Sequence, residues 1–196
     1  MIIYLHGFNS SPQSYKARYF ADWLAERGFQ GDFACPALPD FPDDAVAAAE
    51  AAMGGSRGDQ VTFVGSSLGG FYATYLAEKH DARAVLINPA VDPHIGLGAY
   101  LGMQHNLYTG VGYELTARHL ASWASQCMAT IRPERYLLLV ETGDEVLDYR
   151  RAVEKYRGAR QVVVKGGDHS LKSFPEHLPL IAEFARLAPT ASLHRL

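Results

Sequence analysis

The sequence holds only two cysteines, Cys35 and Cys127, far apart and in no metal-ligand spacing. That scarcity excludes a disulfide-dense scaffold and points to two buried, reduced thiols rather than a bridge. Neither sign of charge dominates: 18 Lys and Arg against 21 Asp and Glu leave a formal net charge of −3, and no basic run occurs. No nucleic-acid partner and no membrane partner are therefore expected. No apolar stretch is long enough to span a bilayer, and the start Met1-Ile2-Ile3-Tyr4-Leu5-His6-Gly7 lacks the basic segment of an export signal. A cytoplasmic location is the expectation. Histidine pairs at helical ligand spacing are missing too, so neither a metal nor a cofactor is expected.

What is present reads as one α/β domain over 1–196. A chain of this length buries roughly 70% of its unfolded surface, enough for a sizeable core. Residues 2–5 read as a fully buried strand, and residues 14–27 as a helix with Tyr15, Tyr19, Trp23 and Leu24 on one face, ended by Gly28. A short second strand covers 30–34. Asp43 or Asp44 is placed to cap an alanine-rich helix that stops at Gly54-Gly55. Further strands are expected at 61–64, 82–88, 136–140 and 161–164, with helices at 70–79, 147–156 and 175–187. Strands alternating with helices imply a mostly parallel six-stranded sheet with helices on both faces. About 40 residues, roughly 91–132, intervene after the fourth strand, too many for a plain crossover. Their first half mixes glycines with Tyr100, Leu101, Tyr108 and Tyr113, a composition suited to a lid-like apolar roof. Their second half, 116–128, reads as a helix with Leu120, Trp123 and Cys127 on one face.

The chain is organised around Val61-Thr62-Phe63-Val64-Gly65-Ser66-Ser67-Leu68-Gly69-Gly70. It matches G-x-S-x-G with Ser67 at the centre, between a strand and a helix, the context of a nucleophile elbow. Side chains at Gly65 or Gly69 would collide with neighbouring backbone in so sharp a turn. A serine hydroxyl needs a base to take its proton, and the base needs a third group to orient it. Two later strands end in segments of the right kind, Glu141-Thr142-Gly143-Asp144-Glu145-Val146 and Lys165-Gly166-Gly167-Asp168-His169-Ser170.

With Tyr4-Leu5-His6-Gly7-Phe8-Asn9-Ser10-Ser11-Pro12, Asn88-Pro89-Ala90-Val91, Tyr108-Thr109-Gly110 and Glu114-Leu115-Thr116, these segments make the chain resemble the α/β-hydrolases. More narrowly, it is similar to the small bacterial YqiA-like esterases over nearly its whole length. The resemblance implies an α/β-hydrolase fold that lacks the first two strands of larger relatives. It also implies Ser67 as nucleophile, Asp144 as orienting acid and His169 as base. Leu107 and Val111 depart from the family's pattern, which places a proline and an acidic residue there. An oxyanion hole needs two fixed backbone N–H groups, and Leu68 and Phe8 are placed to supply them. Asp92, Glu145 and Asp148 compete with Asp144 as the acid. Asp144 follows Gly143 directly at the strand end, whereas Asp148 suits the cap of the next helix and Asp92 opens the insertion. The expected activity is hydrolysis of carboxylic esters of small to medium acyl groups through an acyl-enzyme, on a small-molecule substrate contacted by Tyr100 and Tyr108. A thioesterase, acting on acyl-CoA or another thioester, is the alternative, and a non-catalytic binding protein on the same fold is the rival from another class.

Overall fold

Ile2–Leu5 is apolar at every position, with no polar alternation, and forms β1 as an inner strand of a parallel sheet covered on both faces. The computed structural model describes residues 1–187. The expected domain extent of 1–196 therefore includes nine residues, 188–196, that lie outside the described ones. After β1 come α1 (Tyr15–Ala25), β2 (Phe33–Ala34), α2 (Pro42–Ala51), β3 (Thr62–Ser66), α3 (Leu68–His80) and β4 (Arg83–Ile87). The insertion then supplies α4 (Pro93–Gly96), β5 (Gly102–His105), β6 (Gly112–Leu115) and α5 (Ala117–Ser125). β7 (Tyr136–Glu141), α6 (Tyr149–Lys155), β8 (Arg160–Val164) and α7 (Phe174–Phe184) complete the fold.

The main sheet has the order β2-β1-β3-β4-β7-β8, every pairing parallel. Between β1 and β3 the connections diverge, one leading out to β2 and the other across to β4. That divergence opens a crevice at the carboxyl ends of the two strands, where ligands of such sheets bind. Alternate side chains of each strand enter two cores. Ile2 and Tyr4 pack with Phe20 and Leu24 of α1 and Phe174 and Leu178 of α7. Ile3 and Leu5 share the opposite core with α2, α3 and α6. A fully buried side chain of this size contributes about 1.5–3 kcal/mol.

Two expectations change. The strand expected at 30–34 shrinks to Phe33–Ala34, because Gln30–Asp32 winds into a 3-10 turn. Neither Asp43 nor Asp44 caps α2: Phe41 is the N-cap and Pro42 occupies the first turn. Asp43 instead accepts hydrogen bonds from Ser122 Oγ at 2.9 Å and Gln126 Nε2 at 2.7 Å, joining α2 to the insertion. Within the insertion, the glycine-rich half forms an antiparallel hairpin, β5 with β6. The hairpin is tied to the loop after β1: Leu107 N–H donates to Asn9 O at 2.9 Å, Asn106 Nδ2 to Ser10 O at 2.7 Å, and Tyr113 OH to Asn9 Oδ1 at 2.7 Å. α5 buries Trp123, whose indole N–H donates to Tyr72 OH of α3 at 2.8 Å.

Candidate active site

Ser67 joins β3 to α3 with φ 55° and ψ −119°, a backbone geometry that L-residues avoid. Close packing holds it there. A Cβ on Gly65 would stand 2.1 Å from Gly69 O, and one on Gly69 would stand 1.9 Å from Leu5 O. Ser67 N–H donates to Ile87 O at 3.0 Å, and Ser67 O accepts from Ala90 N–H at 3.0 Å, so β4 fixes the turn from the other side.

Two further loops converge on the hydroxyl. His169 Nε2 lies 3.1 Å from Ser67 Oγ, and Nδ1 lies 2.8 Å from Asp144 Oδ2 and 3.0 Å from Oδ1. The Asp144 side chain is only 1% exposed, and its Oδ1 also accepts N–H bonds from Val146 and Leu147. The other three carboxylates are occupied elsewhere. Asp148 caps α6 by accepting from Arg150 N–H, Asp92 pairs with Arg151, and Glu145 accepts the backbone N–H of His169 at 3.0 Å.

The loop that presents His169 hangs on Glu141. This last residue of β7 is 1% exposed. Its carboxylate accepts backbone N–H bonds from Asp168 (2.8 Å), Lys172 (3.0 Å) and Ser173 (2.9 Å), and the Ser173 hydroxyl at 2.7 Å. Burial alone would raise this carboxyl, but the donors outweigh it and hold its pKa below the ordinary glutamate value. A Cβ at Gly167 would stand 1.8 Å from Glu141 Oε2, so only glycine lets that backbone pass. Asn88 adds a second anchor: its Nδ2 donates to Asp168 O and His169 O, both at 3.1 Å, while its Oδ1 accepts from Glu141 N–H. In the sequence Glu141 shows only as a carboxylate ending an otherwise apolar strand, with no sign of which backbone it anchors. Lys16 of α1 adds a third tie to this loop. It donates to Ser170 O at 2.8 Å, and burial lowers its pKa despite the opposing carboxylates Asp168, Glu141 and Asp144.

The loop after β1 faces Ser67 from the crevice. His6 is 4% exposed, and burial lowers its pKa, more than its bond to Gly7 O raises it. Its Nε2 accepts Leu38 N–H at 3.1 Å, so Nδ1 carries the proton and donates to Gly7 O at 3.2 Å. Among the described residues, the backbone N–H groups of Phe8 and Leu68 have no hydrogen-bond partner. Both residues line the cavity that contains Ser67 and His169. Its volume is about 760 Å³, within the usual range for small-molecule clefts. Tyr100 and Tyr108 line it with Tyr15, Leu97, Leu107 and Val146. Tyr100 also meets Phe8 edge to face at 6.2 Å between ring centroids. Among the described residues, no helix is long and apolar enough to cross a membrane.

Residues 1–186 match the family described as "Uncharacterised protein family (UPF0227)". A UPF0227 protein of Pectobacterium carotovorum subsp. carotovorum is 24% identical over 192 residues, covering 95% of this chain and 99% of its own. Among solved structures, the mouse α/β hydrolase domain-containing protein 10 superposes with a TM-score of 0.69 at 15% identity, covering 93% of this chain and 88% of its own. A structure of the metagenome-derived lipolytic enzymes LipS and LipT gives 0.66 at 20% identity, covering 94% and 92%. The fold is that of the α/β-hydrolases.

Proposed function

The chain belongs to the UPF0227 family, and we propose that it is a serine hydrolase cleaving carboxylic esters of small to medium acyl groups. The observation that carries this reading is the hydrogen-bonded chain from Asp144 through His169 to Ser67 Oγ, inside an apolar cavity. His169 Nε2 takes the hydroxyl proton as Ser67 Oγ attacks the ester carbonyl carbon, and Asp144 holds the opposite N–H and stabilises the imidazolium. The charge that develops on the carbonyl oxygen is met by the free N–H groups of Phe8 and Leu68. His169 then returns the proton to the leaving alcohol, and a water activated by the same imidazole releases the acid from Ser67. Tyr100, Tyr108 and Leu107 offer the acyl chain an apolar wall. The solved lipolytic neighbours are consistent with this chemistry on this fold.

The test is hydrolysis of p-nitrophenyl esters by the wild type, Ser67→Ala and Ser66→Ala. Ser67→Ala should lose at least about 10³-fold in kcat/KM, as loss of a triad nucleophile does. Ser66→Ala should keep substantial activity, because Ser66 closes β3 and stands off the centre of the turn. Activity retained by Ser67→Ala and lost in Ser66→Ala would refute the assignment.

A further inference from the structure

We propose that Asp92, His94 and Cys127 form a binding site for one zinc-class divalent cation, on the outer side of the insertion and independent of the reading above. Their spacing along the chain carries no metal signature, and none was expected from it. The fold makes the site by packing α4, which carries His94, against α5, just beyond which Cys127 lies. Ligand atoms of the three residues all lie within 4.8 Å of one another, and they form the one group of three or more His, Cys, Asp or Glu gathered so closely among the described residues.

The distances suit the metal. Cys127 Sγ stands 3.4 Å from His94 Nδ1. A tetrahedral Zn²⁺ holding a thiolate at about 2.3 Å and an imidazole nitrogen at about 2.0 Å separates the two ligand atoms by about 3.5 Å. An ion would therefore enter between the two side chains with little change in their separation, and the Asp92 carboxylate would close in as the third ligand. Sulfur, imidazole and carboxylate together favour Zn²⁺ over the hard cations Mg²⁺ and Ca²⁺.

The surroundings fit as well. Arg151 bonds Asp92 Oδ2, which orients the carboxylate and leaves Oδ1 available, in the manner of an outer-shell partner. A surface cleft of about 680 Å³, lined by Asp92, Cys127, Arg151 and Lys155, gives an ion its path from solvent. A cysteine ligates as the thiolate, so the ion displaces a proton when it binds. The cations Arg151 and Lys155 keep affinity below that of a closed four-ligand site. With three protein ligands, a water completes the tetrahedron.

The experiment uses the full chain freed of metal by chelator dialysis, titrated with Co²⁺ and then Zn²⁺. The expected result is a thiolate-to-cobalt charge-transfer absorption saturating at one ion per chain and abolished by equimolar Zn²⁺. Zn²⁺ should also raise the melting temperature. Cys127→Ser should lose the absorption, and both Cys127→Ser and His94→Ala should weaken Zn²⁺ uptake by about 10-fold or more. Cys35→Ser and Ser67→Ala should retain all three responses. Absence of the charge-transfer absorption in the wild type overturns the proposal whatever the variants do. So does an absorption that follows Cys35, or Zn²⁺ uptake that Cys127→Ser and His94→Ala leave unchanged.

Discussion

At the scale of single residues, the assignment that divides the carboxylates is the one most open to test. The Asp144 side chain is buried, accepts from the His169 ring and from loop backbone, and is paired with no arginine, whereas Asp148 and Asp92 are engaged by arginines. Asp144→Asn should lose about 10³- to 10⁴-fold in kcat while remaining folded. Asp148→Asn, assayed beside it, should lose less than about 10-fold, since asparagine still caps the helix and only an exposed ion pair with Arg150 is lost. A large loss at Asp148 with Asp144→Asn intact would move the acid. Glu141 makes a different prediction, because it acts on the loop and not on substrate. Glu141→Gln should cost about 1–3 kcal/mol of stability at neutral pH by mismatching donors to a buried oxygen. Its folded pKa is lowered, so the stabilisation is present above the unfolded value of about 4.3 and is lost as pH falls through the folded one. The gap between wild-type and Glu141→Gln urea midpoints should therefore narrow from pH 7 toward pH 3, and a gap that widens would remove the anchor from the account. Ser67, Asp144 and His169 stood out as candidates in the sequence because each lies within two residues of a glycine at a strand end. Glu141 and Asn88 did not, because a polar residue at a strand end gives no hint of which backbone it will serve.

At the scale of elements, the insertion was the least legible part. Its hairpin turns its inward positions over to Gln104 and Tyr113 before reaching the buried Leu115, so no apolar alternation marks β5 and β6. The turn between them did carry a signal. Asn106 Oδ1 accepts N–H bonds from Tyr108 and Thr109, and Gly110 follows with φ 71°. The hairpin's bonds to Asn9 and Ser10 place it as a wall on the loop that carries Phe8. Tyr108→Ala and Tyr100→Ala should then shift the ratio of long- to short-chain ester hydrolysis by about 10-fold, the order expected of apolar pocket contacts. An unchanged ratio in both variants would remove the hairpin from substrate selection. By contrast α5 was legible from Leu120 and Trp123, an apolar pair at helical spacing on an otherwise polar stretch, although the helix ends at Ser125 and leaves Cys127 just beyond it.

At the scale of the whole molecule, the alternation of strands and helices was enough to expect a parallel sheet, but not its order. Strand order depends on which face each crossover takes, and here α1 and α7 cover one face while α2, α3 and α6 cover the other. That arrangement places the divergence between β1 and β3 beneath Phe8 and Ser67, so the site is a consequence of topology as much as of motif. The core should accordingly be separable from the chemistry. Phe20 is fully buried between Phe33 and Phe174, and Phe20→Ala should cost about 3–5 kcal/mol in urea unfolding while kcat/KM below the midpoint is unchanged. Loss of activity without loss of stability would contradict that separation. Labelling with a fluorophosphonate, followed by peptide mass spectrometry to locate the adduct, checks whether the Ser67 hydroxyl is a nucleophile activated by His169. One stoichiometric adduct is expected on Ser67, absent in Ser67→Ala and formed far more slowly in His169→Ala. An adduct on another residue, or no adduct on a folded wild-type chain, would contradict that role for Ser67.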